Sequence, residues 1–113
     1  FMTDLDKFLT IDEGQNVKIA AEYIALNSFR GVVVIDKNNI VKGVLTEGDI
    51  LRFFLNQGRL SAPVSSLLTL NYIKLVKKYN SVDLLNLVKQ GLTIIPVVDE
   101  KGMLLEVLGL RDL

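Results

Sequence analysis

An internal repeat restricts this chain more than any other feature. Val32-Val33-Val34-Ile35-Asp36 is similar to Ile95-Pro96-Val97-Val98-Asp99, which lies 63 positions further on. At the same offset Gly43-Val44-Leu45-Thr46-Glu47-Gly48-Asp49-Ile50 falls on Glu106-Val107-Leu108-Gly109-Leu110-Arg111-Asp112-Leu113, with no gap between the two matches. The 113 residues therefore divide into two units, each of about 55–60 residues, a size at which one unit alone is marginally stable. We place the units at 2–59 and 60–113, joined by a connector at Leu60 to Pro63.

Each unit carries the same local pattern. Val17, Ala20, Ala21, Ile24 and Ala25 fall on one face of a helix. Val32 to Ile35 is a continuous β-branched run, the pattern of a strand buried on both faces. Lys37-Asn38-Asn39 supplies turn chemistry, and Ile40 to Leu45 forms the return strand of a hairpin. A second helix opens at Thr46, carries an apolar stripe of Ile50, Phe53 and Phe54, and ends near Gly58. In the second unit the order is a strand at Tyr72 to Val76, a helix at Val82 to Gln90 stopped by Gly91, and a hairpin. The strands of that hairpin are Ile94 to Asp99 and Met103 to Leu108. This second-unit helix is predicted to be about two residues shorter than its counterpart.

What is missing narrows the function. The chain has no Cys and no His, which excludes disulfide scaffolds, thiolate or imidazole metal sites, and His-based nucleophilic catalysis. Thirteen Lys and Arg balance thirteen Asp and Glu, so the broad positive field of a nucleic-acid or anionic-membrane binder is absent. No apolar run reaches 18 residues, and the acidic start at Met2-Thr3-Asp4 has no signal-peptide pattern; a cytoplasmic protein is expected. Neither G-x-x-x-x-G-K-[ST] nor G-x-G-x-x-G occurs, so phosphoryl transfer has no support. The paired carboxylates Asp12-Glu13 and Asp99-Glu100 fall in turns. A regulatory or binding module, with no metal and no cofactor, is expected in place of an enzyme.

The repeat resembles the tandem cystathionine-β-synthase-type domain, or CBS pair. The second unit carries the h-P-V-V-D half of the pattern, as Ile95 to Gly102. The first carries the G-h-h-T-x-x-D-h half, as Gly43 to Ile50. Val33 stands where the first unit would have its proline, and Glu106 and Gly109 replace the glycine and hydroxyl residue expected of the second. The resemblance implies an α+β fold of two β-α-β-β-α units packed around a pseudo-twofold axis. It also implies regulatory binding of an adenine nucleotide (AMP, ADP or ATP) between the units. Thr46-Glu47-Gly48-Asp49-Ile50-Leu51-Arg52 is similar to the run found in CBS pairs attached to sugar-phosphate nucleotidyltransferases and sugar-phosphate isomerases. The chain stops inside the expected opening turn of a helix, so an attached catalytic domain is expected, a nucleotidyltransferase first and an isomerase as the alternative. Family members tend to pair as twofold dimers, and a homodimer is expected. The rival reading is a ligand-free dimerisation module.

Thr46 and Asp49 are the sharpest site candidates. Thr-x-x-Asp at a helix start is close to a capping box, which stabilises a helix by about 0.5–2 kcal/mol. The same geometry presents free N–H groups and a positive dipole end to a phosphate. In the family the Asp grips ribose and the hydroxyl residue lies near the phosphate. Gly48 permits close approach of a ligand. The resemblance assigns the pocket wall to Leu9, Thr10, Ile11, Arg30, Gly31 and Val32, with core packing as the alternative for the apolar ones. A second, weaker site is assigned to Ile95, Pro96, Arg111 and Asp112. There Gly109 offers no hydroxyl, and Arg111 stands in the place of Gly48.

Overall fold

Asparagine opens the first helix of each unit. Asn16 caps α1 (Val17–Leu26), its Oδ1 accepting the Ile19 N–H at 3.0 Å. Asn80 precedes α3 (Ser81–Lys89), its Oδ1 accepting the Asp83 N–H at 2.8 Å. These are N-cap contacts that satisfy donors the helix itself leaves open. The caps are 64 positions apart and the hairpin aspartates 63. The second unit is thus one residue shorter across this stretch, not two, because α3 begins at Ser81 and not at Val82.

The computed structural model describes residues 6–27, 29–68, 74–76, 78–90, 92 and 94–109. In the first unit β1 (Thr10–Asp12) precedes α1, and β2 (Gly31–Ile35), β3 (Val41–Thr46) and α2 (Glu47–Leu55) follow it. In the second, β4 (Leu75–Val76) precedes α3, and β5 (Ile94–Val98) and β6 (Leu104–Gly109) follow. Two three-stranded sheets result, ordered β1-β2-β3 and β4-β5-β6, each with a parallel first pair and an antiparallel hairpin. This is the α+β architecture that the resemblance implies. The expected strand from Tyr72 is Leu75–Val76 among the described residues; Tyr72 itself, and the helix expected to begin after Gly109, lie outside them. No described helix is long and apolar enough to cross a membrane.

The hairpins show why the motif ends in aspartate. Asp36 Oδ1 accepts the N–H groups of Asn38 and Ile40 at 2.8 and 3.0 Å. Asp99 Oδ1 accepts those of Lys101 and Met103, both at 2.9 Å. Asx side chains stabilise tight turns in this way. The turns close with Asn39 at φ 64° and Gly102 at φ 87°, again the same repeat position.

Strand alternation builds the core in layers. Val32, Val34 and Leu45 face the helices, with Ile11, Val17, Ala20, Ile24 and Ile50. Val33 and Leu9 face the other way, onto Ile94 and Val98 of the second unit. Ile95 and Val97 join Leu75 in the second unit's own core. The two sheets therefore pack inner face to inner face about the pseudo-twofold axis. The connector packs on the first unit: Ala62 O accepts the Val17 N–H at 2.8 Å and Leu60 O the Lys18 N–H at 3.1 Å, and Val64, which follows it, is fully buried in that core. Leu68 lies over Gly43, where an added Cβ would meet its Cδ2 at 2.8 Å. That packing accounts for glycine here and Glu106 at the open, exposed counterpart.

Candidate functional site

The start of α2 concentrates the polar groups. Thr46 ends β3 in extended geometry and caps the helix. Its Oγ1 accepts the Asp49 N–H at 3.3 Å, while Asp49 Oδ2 accepts the Thr46 N–H at 2.9 Å and the Thr46 hydroxyl at 3.1 Å. The reciprocal capping box is complete. The other carboxylate oxygen, Oδ1, accepts from Arg52 Nη2 at 2.6 Å. The Arg52 side chain is 67% exposed and that of Asp49 33%, and an ion pair this open contributes about 0–1 kcal/mol. The cap thus engages one oxygen firmly and leaves the second on a weakly held, solvent-facing partner. Gly48 sits beneath the Arg52 guanidinium, where an added Cβ would meet Nη1 at 3.2 Å.

The segment before β2 docks on this helix start. Arg30 O accepts the Glu47 N–H at 3.1 Å, and Gly31 is the cross-strand partner of Thr46. Arg30 is exposed and holds φ 60°, the left-handed region that costs a side-chain-bearing residue roughly 1–2 kcal/mol. Buried Asn27 fixes the segment. Its Nδ2 donates to Phe8 O at 3.0 Å and Gly31 O at 2.9 Å, and its Oδ1 accepts the Phe29 N–H at 2.9 Å.

The structure therefore brings Thr46, Gly48, Asp49, Arg30 and Gly31 together. It separates the other assigned wall residues by strand alternation. Ile11 and Val32 point into the helix-side core, Leu9 points into the contact between the units, and Thr10 is half-buried on β1. Leu9 O is already taken by the Val33 N–H at 2.8 Å. Gly31 has its own packing reason, since a Cβ there would meet Ile94 Cγ2 at 2.6 Å. Ile95 and Pro96 are buried in β5. Arg111 and Asp112 lie outside the described residues. Sequence reasoning missed Asn27 and Phe29, whose roles depend on contacts between distant elements.

Residues 1–56 match the family model of the CBS domain. The first unit is a CBS domain. The whole chain has the fold of a CBS pair. It superposes on a CBS domain protein from Pyrobaculum aerophilum complexed with AMP with a TM-score of 0.76 at 22% identity, covering 93% of this chain and 82% of that one. Against the cytosolic domain of the Mg2+ channel MgtE in complex with ATP the TM-score is 0.72 at 18% identity, covering 95% and 44%. Among curated proteins, arabinose 5-phosphate isomerase GutQ of Salmonella typhi is 40% identical over 82 residues, which is 72% of this chain and 26% of the relative. The CBS pair thus spans about a quarter of the length of the curated relatives it matches.

A separate apolar groove lies on the outer face of the CBS pair. Ala21, Ile24 and Ala25 of α1 and Glu47, Ile50, Leu51 and Phe54 of α2 line a space of about 260 Å³. Leu51 stands exposed in it, and Leu26 and Leu55, at the ends of the same two helices, are exposed as well. Of the two phenylalanines expected on this face, Phe54 is 39% exposed. Phe53 instead packs against the first core and over Gly58, where a Cβ would run into its ring.

Proposed function

We propose that this chain is a regulatory module that binds an adenine nucleotide at the start of α2. The Thr46–Asp49 box carries the reading. One carboxylate oxygen keeps the helix capped while the other is held only by an exposed arginine. Ribose hydroxyls can take the place of that arginine without uncapping the helix, and Arg52 and Arg30 are then placed for the phosphate. The AMP- and ATP-bound relatives of the same fold support an adenine nucleotide as the ligand class. The module biases the orientation or assembly of an attached enzyme. The GutQ relatives favour a sugar-phosphate isomerase as that enzyme over a nucleotidyltransferase.

The test is calorimetric titration of AMP, ADP and ATP into the parent, Asp49→Ala and Asp112→Ala, after each is shown to be folded. Loss of binding in Asp49→Ala alone is expected. A parent that gives no heat with any nucleotide overturns the reading. A saturating nucleotide, at about 100 times its dissociation constant, stabilises the fold by roughly 2.7 kcal/mol. The α1–α2 groove favours assembly as well. An apolar surface of this kind, bordered by exposed leucines, suits a second copy of the chain, and we infer a homodimer through it.

A further inference from the structure

The two units differ at a position where the repeat aligns them without a gap. Gly109 is the repeat counterpart of Thr46, and it pairs with Ile94 on β5 as Thr46 pairs with Gly31 on β2. The difference is that position 109 is already filled. A Cβ built on Gly109 would run into the ring of Phe29, with Cε1, Cδ1 and Cζ as the nearest atoms. Phe29 comes from the first unit and packs into the apolar contact between the units. Its repeat counterpart, Leu92, packs against the second unit's own core.

The backbone that carries the ring is anchored. The Phe29 N–H is bonded to Asn27 Oδ1 at 2.9 Å, and Asn27 is 8% exposed and tied to Gly31 O. The next residue, Arg30, turns the chain through φ 60°. A buried polar anchor and a left-handed residue fix the direction in which Phe29 leaves the backbone.

We propose that Phe29 is a plug. Its ring takes the space in the second unit that a hydroxyl-bearing side chain takes in the first, and it closes the second unit's nucleotide position. The chain then holds one nucleotide, at Thr46 and Asp49, and Phe29 is the residue that sets this stoichiometry. The proposal rests on the nucleotide reading above, and the experiment separates the two.

AMP is titrated calorimetrically into the parent, Phe29→Leu and Phe29→Ala. Leucine is the residue at the counterpart position, so Phe29→Leu guards against a loss of fold in the alanine variant. One AMP per chain is expected for the parent and two for each folded variant. Two per chain in the parent, or one per chain in both variants, overturns the plug. A parent that takes none while Phe29→Leu takes one overturns the assignment to Thr46 and Asp49 and leaves the plug standing. No heat from any of the three overturns both. Gly109→Ala is then melted in the parent and in Phe29→Ala. A lowered melting temperature in the first background and none in the second is expected; the same drop in both overturns exclusion by the ring.

Discussion

Ile40 and Met103 occupy the same position of the repeat, and they pair with each other in an antiparallel bridge. The pseudo-twofold axis runs between them. The Val41 N–H donates to Gly102 O at 3.0 Å, and the symmetry-related Leu104 N–H donates to Asn39 O at 2.9 Å. The two hairpins are thus bonded to each other backbone to backbone, which is one physical reason that the units belong together.

The turn residues of this joint, Asn39 and Gly102, are not equivalent. Gly102 holds its positive φ without cost, whereas Asn39 holds φ 64° and adds a bond from Nδ2 to Leu104 O at 3.2 Å. Replacing Asn39 by alanine removes that bond and a residue tolerant of the left-handed region. We expect Asn39→Ala to cost about 1–2 kcal/mol, and Asn39→Gly to recover most of the backbone part. Urea unfolding midpoints check this; equal losses for the two variants would refute the backbone contribution.

Capping and ligand contact at α2 can be separated by choice of substitution. Thr46→Ala loses the acceptor for the Asp49 N–H and is expected to destabilise by about 0.5–2 kcal/mol. Asp49→Asn keeps a side-chain oxygen for the Thr46 N–H but loses the charge. It is expected to cost under about 1 kcal/mol of stability while weakening AMP tenfold or more, since a charge-assisted hydrogen bond contributes about 1.5–3 kcal/mol. Thermal melts and AMP titration on the same samples decide it. Unchanged AMP affinity in folded Asp49→Asn would leave the carboxylate with the cap alone.

The sequence displayed what is local or periodic. The β-branched run at Val32 to Ile35, the turn aspartates Asp36 and Asp99 and the Thr46 cap all follow from neighbours a few residues away, and the repeat multiplied each signal by two. What the sequence did not display are contacts with no local signature. Gly31 reads as a glycine at a ligand wall, and its second, packing reason is invisible locally: Ile94 fills the space its Cβ would need. Ile11 and Val32 lie on β1 and β2, where alternation turns both toward the helices and away from the contact between the units. Phe29 sits in a short loop, and nothing near it in sequence points to Gly109, 80 positions away.

Arg30 offers a test in which stability and binding move in opposite directions. Its φ of 60° suits glycine, and its exposed side chain buries little. Arg30→Gly is expected to be neutral to about 1 kcal/mol more stable, because relief of the left-handed strain offsets the added entropy of the unfolded glycine. The same change removes a cation beside the α2 start, and AMP affinity is expected to fall, most steeply at low salt. Melting temperature and AMP titration at two salt concentrations check both halves. An AMP affinity equal to the parent's at low salt would remove Arg30 from the phosphate site.

The groove between α1 and α2 gives the assembly prediction. Leu51 is 60% exposed and lines that groove with Phe54, which is 39% exposed. A surface side chain this open contributes little to the fold of a single chain, so Leu51→Glu is expected to change the stability of the monomer by no more than about 0.5 kcal/mol. In a dimer that buries the groove, the same carboxylate is desolvated against apolar neighbours and against Glu47 on the groove's own rim, with no cation among the lining residues. Leu51→Glu is therefore expected to halve the mass seen by light scattering at concentrations where the parent is dimeric, and to leave AMP binding at Thr46 and Asp49 intact. The parent must be measured beside it over a wide concentration range. A parent that shows the monomer mass throughout, or a Leu51→Glu variant that stays dimeric, would take the interface away from this face.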